Sequence, residues 1–480
     1  MRFFALYIVI LIYATPVLSQ EPQFSWGERL KRNFGQLEEM RIVGVDKDGF
    51  FATYTVNDQI TLEHYDPQHK RFWTTALLPK TPDGQKASFV KVKMLKDKLY
   101  MLSSSTGGGE TQVYSQEISH SGNYVPEISV IAQAVEGDKI ILESSANDAA
   151  TAIMIANNNR QHLTLLTDEL KTNWSTSIVT KGTAEELLVL PDGTVYLLVK
   201  ASAAAPATQA FYLYQFNGQT GQNSELALGH TNYRPLKAKL AATPNGNVVV
   251  TGYMSPSNSV ASQDPEPIGT FLYRIEKRNL HDRFEVFIPF SKKFISEYKR
   301  FKPDFDSSQR LRHLRLDRVI PLRDGGLYML GEVCPNENRA GTFIYHNNDI
   351  IVVRLHKDGT QAFTTSINKL QSGTNKFNTI RSFFAEIIDN SLRLLYLDFE
   401  YNYKENDRIA MYSPRTTLKT PVMVTIASDG KQEAKPLHHT QTGREHGFYL
   451  RPSSAYKLSE KEYIVIGMGP EFYRYGRMTF

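Results

Sequence analysis

One phrase recurs down this chain: an apolar strand, a tight polar turn, then a second and more strongly apolar strand. It reads Lys47-Asp48-Gly49 before FFATYTV, Pro191-Asp192-Gly193 before TVYLLV, Pro244-Asn245-Gly246 before NVVVTGY, and Arg323-Asp324-Gly325 before GLYMLG. Weaker copies turn at Lys96-Asp97-Lys98, at Asp389-Asn390 and at Glu460-Lys461. Asp-Gly and Asn-Gly tolerate the positive φ of hairpin turns, so each copy predicts a β-hairpin. Long helical periodicity is almost absent, which leaves an all-β chain.

The strands that follow repeat as well. A third strand recurs as ITLEHYD, TQVYSQEI, HLTLLTD, FYLYQFNG, TFLYRIEK, IIVVRLHKDG and PVMVTIASDG. A fourth shares an aromatic-then-hydroxyl look at Phe72-Trp73-Thr74-Thr75, Trp174-Ser175-Thr176-Ser177 and Phe363-Thr364-Thr365-Ser366. Four antiparallel strands per unit, many times over, predict a β-propeller; a pair of β-sandwiches would not need the same phrase so often. Second strands begin near Phe50, Leu99, Thr151, Thr194, Asn247, Leu327, Leu392 and Tyr463. They are spaced from 43 residues (Thr151 to Thr194) to 80 (Asn247 to Leu327), and they predict eight blades, with seven the alternative. The last unit lacks a fourth strand, whereas QFSWGERL before the first unit looks like one. Phe24 to Leu30 is therefore expected to close the final blade and remove the ring's exposed edges.

The first residues read as an export signal. Arg2 is followed by an apolar run from Phe3 to Ala14, with small residues for cleavage after Ser19. The run is short for a membrane span, and no later stretch is apolar enough to cross one. The expectation is a signal peptide over 1–19 and a single propeller over 20–480, periplasmic or extracellular and bacterial, with no membrane span after cleavage. Cys334 is the only cysteine, so the chain has no internal disulfide. It reads as a structural thiol, not a nucleophile. Lys+Arg 55 against Asp+Glu 50 is a slight positive balance spread along the sequence, which argues against a dedicated nucleic-acid binder.

The piece Asp349-Ile350-Ile351-Val352-Val353-Arg354-Leu355, then Lys357-Asp358-Gly359 and Phe363, resembles the repeat of secreted bacterial β-propeller proteins. Trp26-Gly27, Gly44 and Asp48-Gly49-Phe50 resemble the opening of uncharacterised exported propellers of the Bacteroidetes type. The resemblance implies a fold and a compartment but no reaction.

Motifs of known chemistry are missing. There is no GxSxG, HExxH, GxxxxGK[ST] or CxxC, the sialidase Asp box is not met, and the quinoprotein-like turn Tyr214 to Gly221 lacks its aromatic. His438, His439 and His446 read as loop histidines, and Asp304 and Asp306 as a solvated acidic loop. No cofactor, metal or catalytic residue is expected. Gly107-Gly108-Gly109 reads as a flexible loop between second and third strands. The aromatic-basic stretch Phe294 to Arg315 is either a grip for a polyanion or acidic glycan, or a connector with a short helix.

Loop length separates the two faces. The long connections are Met254 to Gly269, Val333 to Asn348 and Glu400 to Thr420, between second and third strands, and Ser291 to Leu311 between units. In a propeller both classes emerge on one face, and long loops are usually functional. The expected function is non-enzymatic recognition of a protein or glycan through a rim carrying Tyr345, Tyr401, Tyr403, Arg408, Tyr412 and Arg415, since Tyr and Arg dominate recognition surfaces. Lys299, Arg300 and Lys302 would form a basic patch beside it. The alternative is a carbohydrate-active enzyme (hydrolase or lyase) using Glu332, Asp398 or Glu400 at the channel mouth.

Overall fold

A computed structural model describes residues 21–31, 38–135, 137, 139–259, 265–277, 279–300, 311–339, 341–369, 371–374, 383–399, 419–437, 449–469 and 471–480. The chain forms eight blades arranged as a β-propeller, each an antiparallel sheet; apart from the last blade's fourth strand, the strands of a blade follow one another along the chain. Blade 1 is Glu38–Asp46, Gly49–Val56, Gln59–Tyr65 and Arg71–Leu77. Blades 2 to 5 follow over 88–135, 139–179, 182–228 and 233–289. Blade 6 is Leu314–Pro321, Leu327–Val333, Ile350–Leu355 and Gln361–Ile367; blade 7 is Phe383–Ile388, Ser391–Phe399, Lys419–Ile426 and Gln432–Pro436. The first strand of blade 3 is Lys139–Ser144.

Closure comes from the two ends of the chain. Blade 8 takes a broken first strand from Tyr449–Leu450 and Tyr456–Lys457, then Glu462–Met468 and Phe472–Thr479. Its fourth strand is Gln23–Trp26, paired in register from Gln23 against Thr479 to Trp26 against Gly476. Gly27 N–H then donates to Tyr475 O at 2.9 Å, and Leu30–Lys31 pairs further along the same neighbour. The Arg474 guanidinium lies 5.0 Å from the Trp26 ring centre.

Second strands are buried on both faces, which explains why they are the most apolar phrases in the sequence. They feed eight apolar clusters among the described residues, and each cluster straddles one pair of adjacent blades. The cluster of Met40, Phe50 and Tyr65 with Ile464, Ile466 and Tyr475 joins blade 1 to blade 8, so the ring is continuous with eight blades and not seven. A buried carboxylate pins that seam. Glu63 accepts from the Tyr65 hydroxyl, from the Tyr473 hydroxyl at 2.8 Å and from Arg71 Nη1 at 2.7 Å.

Turn chemistry splits into two kinds. Lys96-Asp97 and Asp389-Asn390 are two-residue turns with both φ positive. The Pro-Asp-Gly phrase is longer: Gly193 N–H bonds Leu190 O, Leu190 N–H bonds Thr194 O, and only Gly193 has positive φ. The expected loop at Gly107 to Gly109 is a tight hairpin turn joining Lys98–Gly107 to Glu110–Ile118, with Gly108 and Gly109 at φ 63° and 84°.

Candidate functional site

The upper face carries the second-to-third-strand loops and the connections between blades. In blade 6 the expected long loop after Val333 is a hairpin, Asn336–Arg339 and Thr342–His346. A third strand, Ser372–Thr374, comes from the connection to blade 7 and pairs with Ile344 to His346. One small sheet thus joins the two classes of connection and places them on the same face.

Other bonds tie Met254 to Gly269 and Ser291 to Leu311 to this roof; of Glu400 to Thr420 only the last two residues are described. The blade 5-to-6 connection contains the helix Lys292–Arg300. Phe294 and Tyr298 are buried in the core beneath it, and Tyr298 Oη donates to Asp349 Oδ2 at 2.9 Å. These two aromatics of the basic stretch are therefore packing residues, not contact residues. Leu311 N–H reaches Glu266 Oε1, in the blade 5 loop, at 3.4 Å. Gln371 Nε2 donates to Leu397 O of blade 7 at 2.6 Å.

Under the roof lies a buried polar network. Glu332, fully buried, receives Lys369 Nζ at 2.5 Å on Oε1, while Oε2 takes Arg315 Nη2 at 3.1 Å and the Asn347 amide. Lys369, equally buried, also donates to Asn347 O at 2.7 Å and Gln371 Oε1 at 3.2 Å. Arg315 Nε contacts Asp317 Oδ1 at 2.6 Å. Burial nevertheless outweighs that guanidinium and pushes the Asp317 carboxyl up to about 6. Cys334 Sγ sits 3.6 Å from Glu332 Oε2, and burial, then Glu332, pushes its thiol up to about 12. Such a thiol is protonated and not nucleophilic at neutral pH.

The network borders a cavity of ≈ 810 Å³ at the channel mouth, reached from blades 4, 5, 6 and 8. Tyr345, Asn347 and Cys334 form its roof side; Lys237, Lys239, Arg312 and Arg315 bring cations, and Glu185 and Glu186 carboxylates. Glu186 is occupied by Lys239 at 3.4 Å and by Leu240 N–H. Glu143, on the first strand of blade 3, feels the charges of Lys91, Lys93, Glu186 and Lys239. Both side chains, Glu143 and Lys91, are solvent-exposed, yet the protein walls around them exclude enough water to raise the Glu143 carboxyl and lower the Lys91 ammonium.

Of the expected rim, Tyr345 is half-buried and lines the cavity. Lys299 and Arg300 end the helix beside the roof. Lys302, Tyr401, Tyr403, Arg408, Tyr412 and Arg415 lie outside the described residues, as do Glu400, His438, His439, His446, Asp304, Asp306 and the expected signal segment. Glu332 and Asp398 are both buried within the fold, Glu332 with each oxygen bonded. The sequence drew attention to Glu332 but not to Lys369, 37 residues away in sequence, which neutralises it. Among the described residues no group of three His, Cys, Asp or Glu is placed to hold a metal ion, and no helix is long and apolar enough to cross a membrane.

No protein-family model matches this chain, and no curated protein matches it in sequence. Solved structures do. A protein of unknown function from Bacteroides caccae is 12% identical, over 69% of this chain and 94% of that one, with a TM-score of 0.30. An uncharacterised protein from Listeria monocytogenes is 11% identical over 75% and 85%, with a TM-score of 0.35. The β-propeller domain of Nup133 from Vanderwaltozyma polyspora is 9% identical over 81% and 99%, with a TM-score of 0.37. These are likenesses of fold.

Proposed function

We propose that this protein is an exported, non-enzymatic binding propeller, working outside the cytoplasm of a bacterium, that recognises a protein or glycan partner through the upper face of blades 5 to 7. The reading is carried by one observation: the blade 5 loop, the blade 5-to-6 connection, the blade 6 hairpin and the blade 6-to-7 connection are tied together on one face, beside a network in which Glu332 is consumed by its own ion pairs. A catalytic carboxylate must exchange protons with a substrate, and Glu332 has no oxygen left for one. Tyr345, Tyr401, Tyr403, Arg408, Tyr412 and Arg415 are proposed as the contact residues, with Lys299, Arg300 and Lys302 as a basic flank. The test is a pull-down from the native extracytoplasmic fraction, wild type against Tyr401→Ala/Tyr403→Ala/Arg408→Ala. Loss of partners by a folded variant supports the rim; recovery of the same partners by both proteins refutes it.

A second reading, a carbohydrate-active enzyme, is favoured by two carboxylates on neighbouring first strands, Glu143 of blade 3 and Glu186 of blade 4, the first of them raised. Turnover of a polysaccharide panel, abolished by Glu143→Gln, would establish it in place of the first.

A further inference from the structure

Three side chains of the network under the roof stand in an order that supports a bond-forming reaction. Glu332 and Lys369 are fully buried, and Asn347 nearly so. The carboxylate bridges the other two: Oε1 accepts from Lys369 Nζ at 2.5 Å, and Oε2 accepts from the Asn347 side-chain nitrogen. Lys369 Nζ also lies 2.7 Å from the backbone oxygen of Asn347, so the amine is held against the very residue whose amide shares its carboxylate. An amine, a carboxamide and a carboxylate touching both are the two reactants and the proton carrier of an amide exchange, already gathered out of water.

We propose that Lys369 and Asn347 join in an intramolecular isopeptide bond, with Glu332 as the catalytic base and acid. An ammonium has no lone pair to donate, so Glu332 Oε1 first takes a proton from Nζ. Arg315 keeps Asp317 as its counterion, 2.6 Å away, while Glu332 is neutral. The Nζ lone pair then forms a bond to Asn347 Cγ, and the Cγ–Nδ2 bond breaks with its electron pair on nitrogen. Nζ gives up two protons in all; Glu332 passes both to Nδ2, which departs as ammonium, and Glu332 ends as the carboxylate it began as. No oxidant, reductant or further reactant is consumed. Asn347 lines the channel-mouth cavity, which gives the leaving group its exit.

Gln371 offers Lys369 a second carboxamide, its Oε1 3.2 Å from Nζ. Its nitrogen, however, donates to Leu397 O, a carbonyl with no proton to return, so that amide lacks the means to leave. The isopeptide bond clasps the blade 6 loop to the connection toward blade 7, 22 residues further on. It is a covalent tie in a chain whose one cysteine permits no internal disulfide.

Peptide mapping of the denatured full chain tests it. Trypsin should fail to cut after Lys369, and residues 340–354 should be recovered joined to residues 358–376. The branched peptide should weigh about 17 Da less than its two parts together, the mass of ammonia. Glu332→Gln keeps the shape of the side chain but cannot carry the protons, and it should lower the branched yield about ten-fold or more. Because losing a buried charge can unfold the site, Asn347→Asp is the companion variant: it expels water in place of ammonia and should give a branched peptide identical to the wild type's. Linear peptides in full yield from folded wild type overturn the inference and leave Glu332 and Lys369 an unreacted ion pair. A link from Lys369 to Gln371 overturns the choice of amide, and an undiminished branch in folded Glu332→Gln overturns the role of the carboxylate.

Discussion

Burial at the edge of the channel-mouth cavity sets the chemistry of Cys334. With its thiol pushed up to about 12, roughly one molecule in ten thousand carries a thiolate at pH 8. Reaction with a disulfide reagent should run about a thousand-fold slower than with free cysteine, measured in native protein and restored on unfolding. The melting temperature should not respond to reductant, and Cys334→Ser should leave it unchanged; a drop under reductant would reveal a disulfide between two chains. His69 behaves oppositely to a surface histidine. Burial, then the Arg477 charge, lowers it to about 4 in the fold, against about 6.5 unfolded. Its stabilisation is therefore complete above pH 6.5, is lost as pH falls from 6.5 to 4, and amounts to about 3 kcal/mol across that window. His69 sits at φ 64°, a conformation Asn tolerates, so His69→Asn is the test. The variant's melting temperature should fall less between pH 7 and pH 4 than the wild type's. A parallel pair of curves would assign the acid sensitivity elsewhere, with His64, also lowered by burial, the next candidate.

At the level of strands, closure is the feature with the largest energetic consequence. Gln23–Trp26 pairs an otherwise open edge, and Phe24, Trp26 and Leu30 pack on buried side chains of the seam. Removing residues 21–31 should cost several kcal/mol, about what burying two or three large apolar side chains supplies, and should expose a strand that invites association. Denaturant midpoints and light scattering measure both; an unchanged midpoint would refute the role of this strand. The sequence made this element legible because a strand missing from one end and spare at the other leave opposite traces in a repeat. Second strands were legible because burial on both faces writes a continuous apolar run. The roof sheet was not: Asn336 to Arg339 is polar, the apolar run Phe343 to Tyr345 is only three residues long, and the third partner at Ser372 comes from beyond two blade strands, so no local period announces it. The Glu332–Lys369 pair was hidden for the same reason, since a buried charge looks like any surface charge until its partner is placed. The sequence leaves the stretch Phe294 to Arg315 open between a grip and a connector, because an aromatic among lysines reads either way until helical spacing from Phe294 turns Tyr298 inward.

For the whole molecule the question is how a partner finds one face of a ring. A formal charge of +5 over 480 residues produces little long-range field, and the channel charges largely neutralise one another, as Lys239 with Glu186 and Lys457 with Glu386 show. Steering must come from local excess. The helix Lys292–Arg300 supplies a candidate, because Tyr298 ties its end to Asp349 under the roof and Lys299 and Arg300 are its last two residues. Charge at the border of a site acts on encounter more than on residence. Lys299→Glu/Arg300→Glu/Lys302→Glu should therefore lower the association rate of an acidic partner about ten-fold at low salt and leave its dissociation rate within about two-fold. The difference should shrink as ionic strength rises and the screening length falls to a few ångströms. Surface plasmon resonance across a salt series, with the partner recovered by pull-down as analyte, resolves the two rates. The fold should be unaffected, since charges at a helix end contribute little to a core built from eight inter-blade clusters. A change confined to the dissociation rate would place these three residues inside the contact instead of beside it, and would move the proposed site from the channel mouth outward onto the helix.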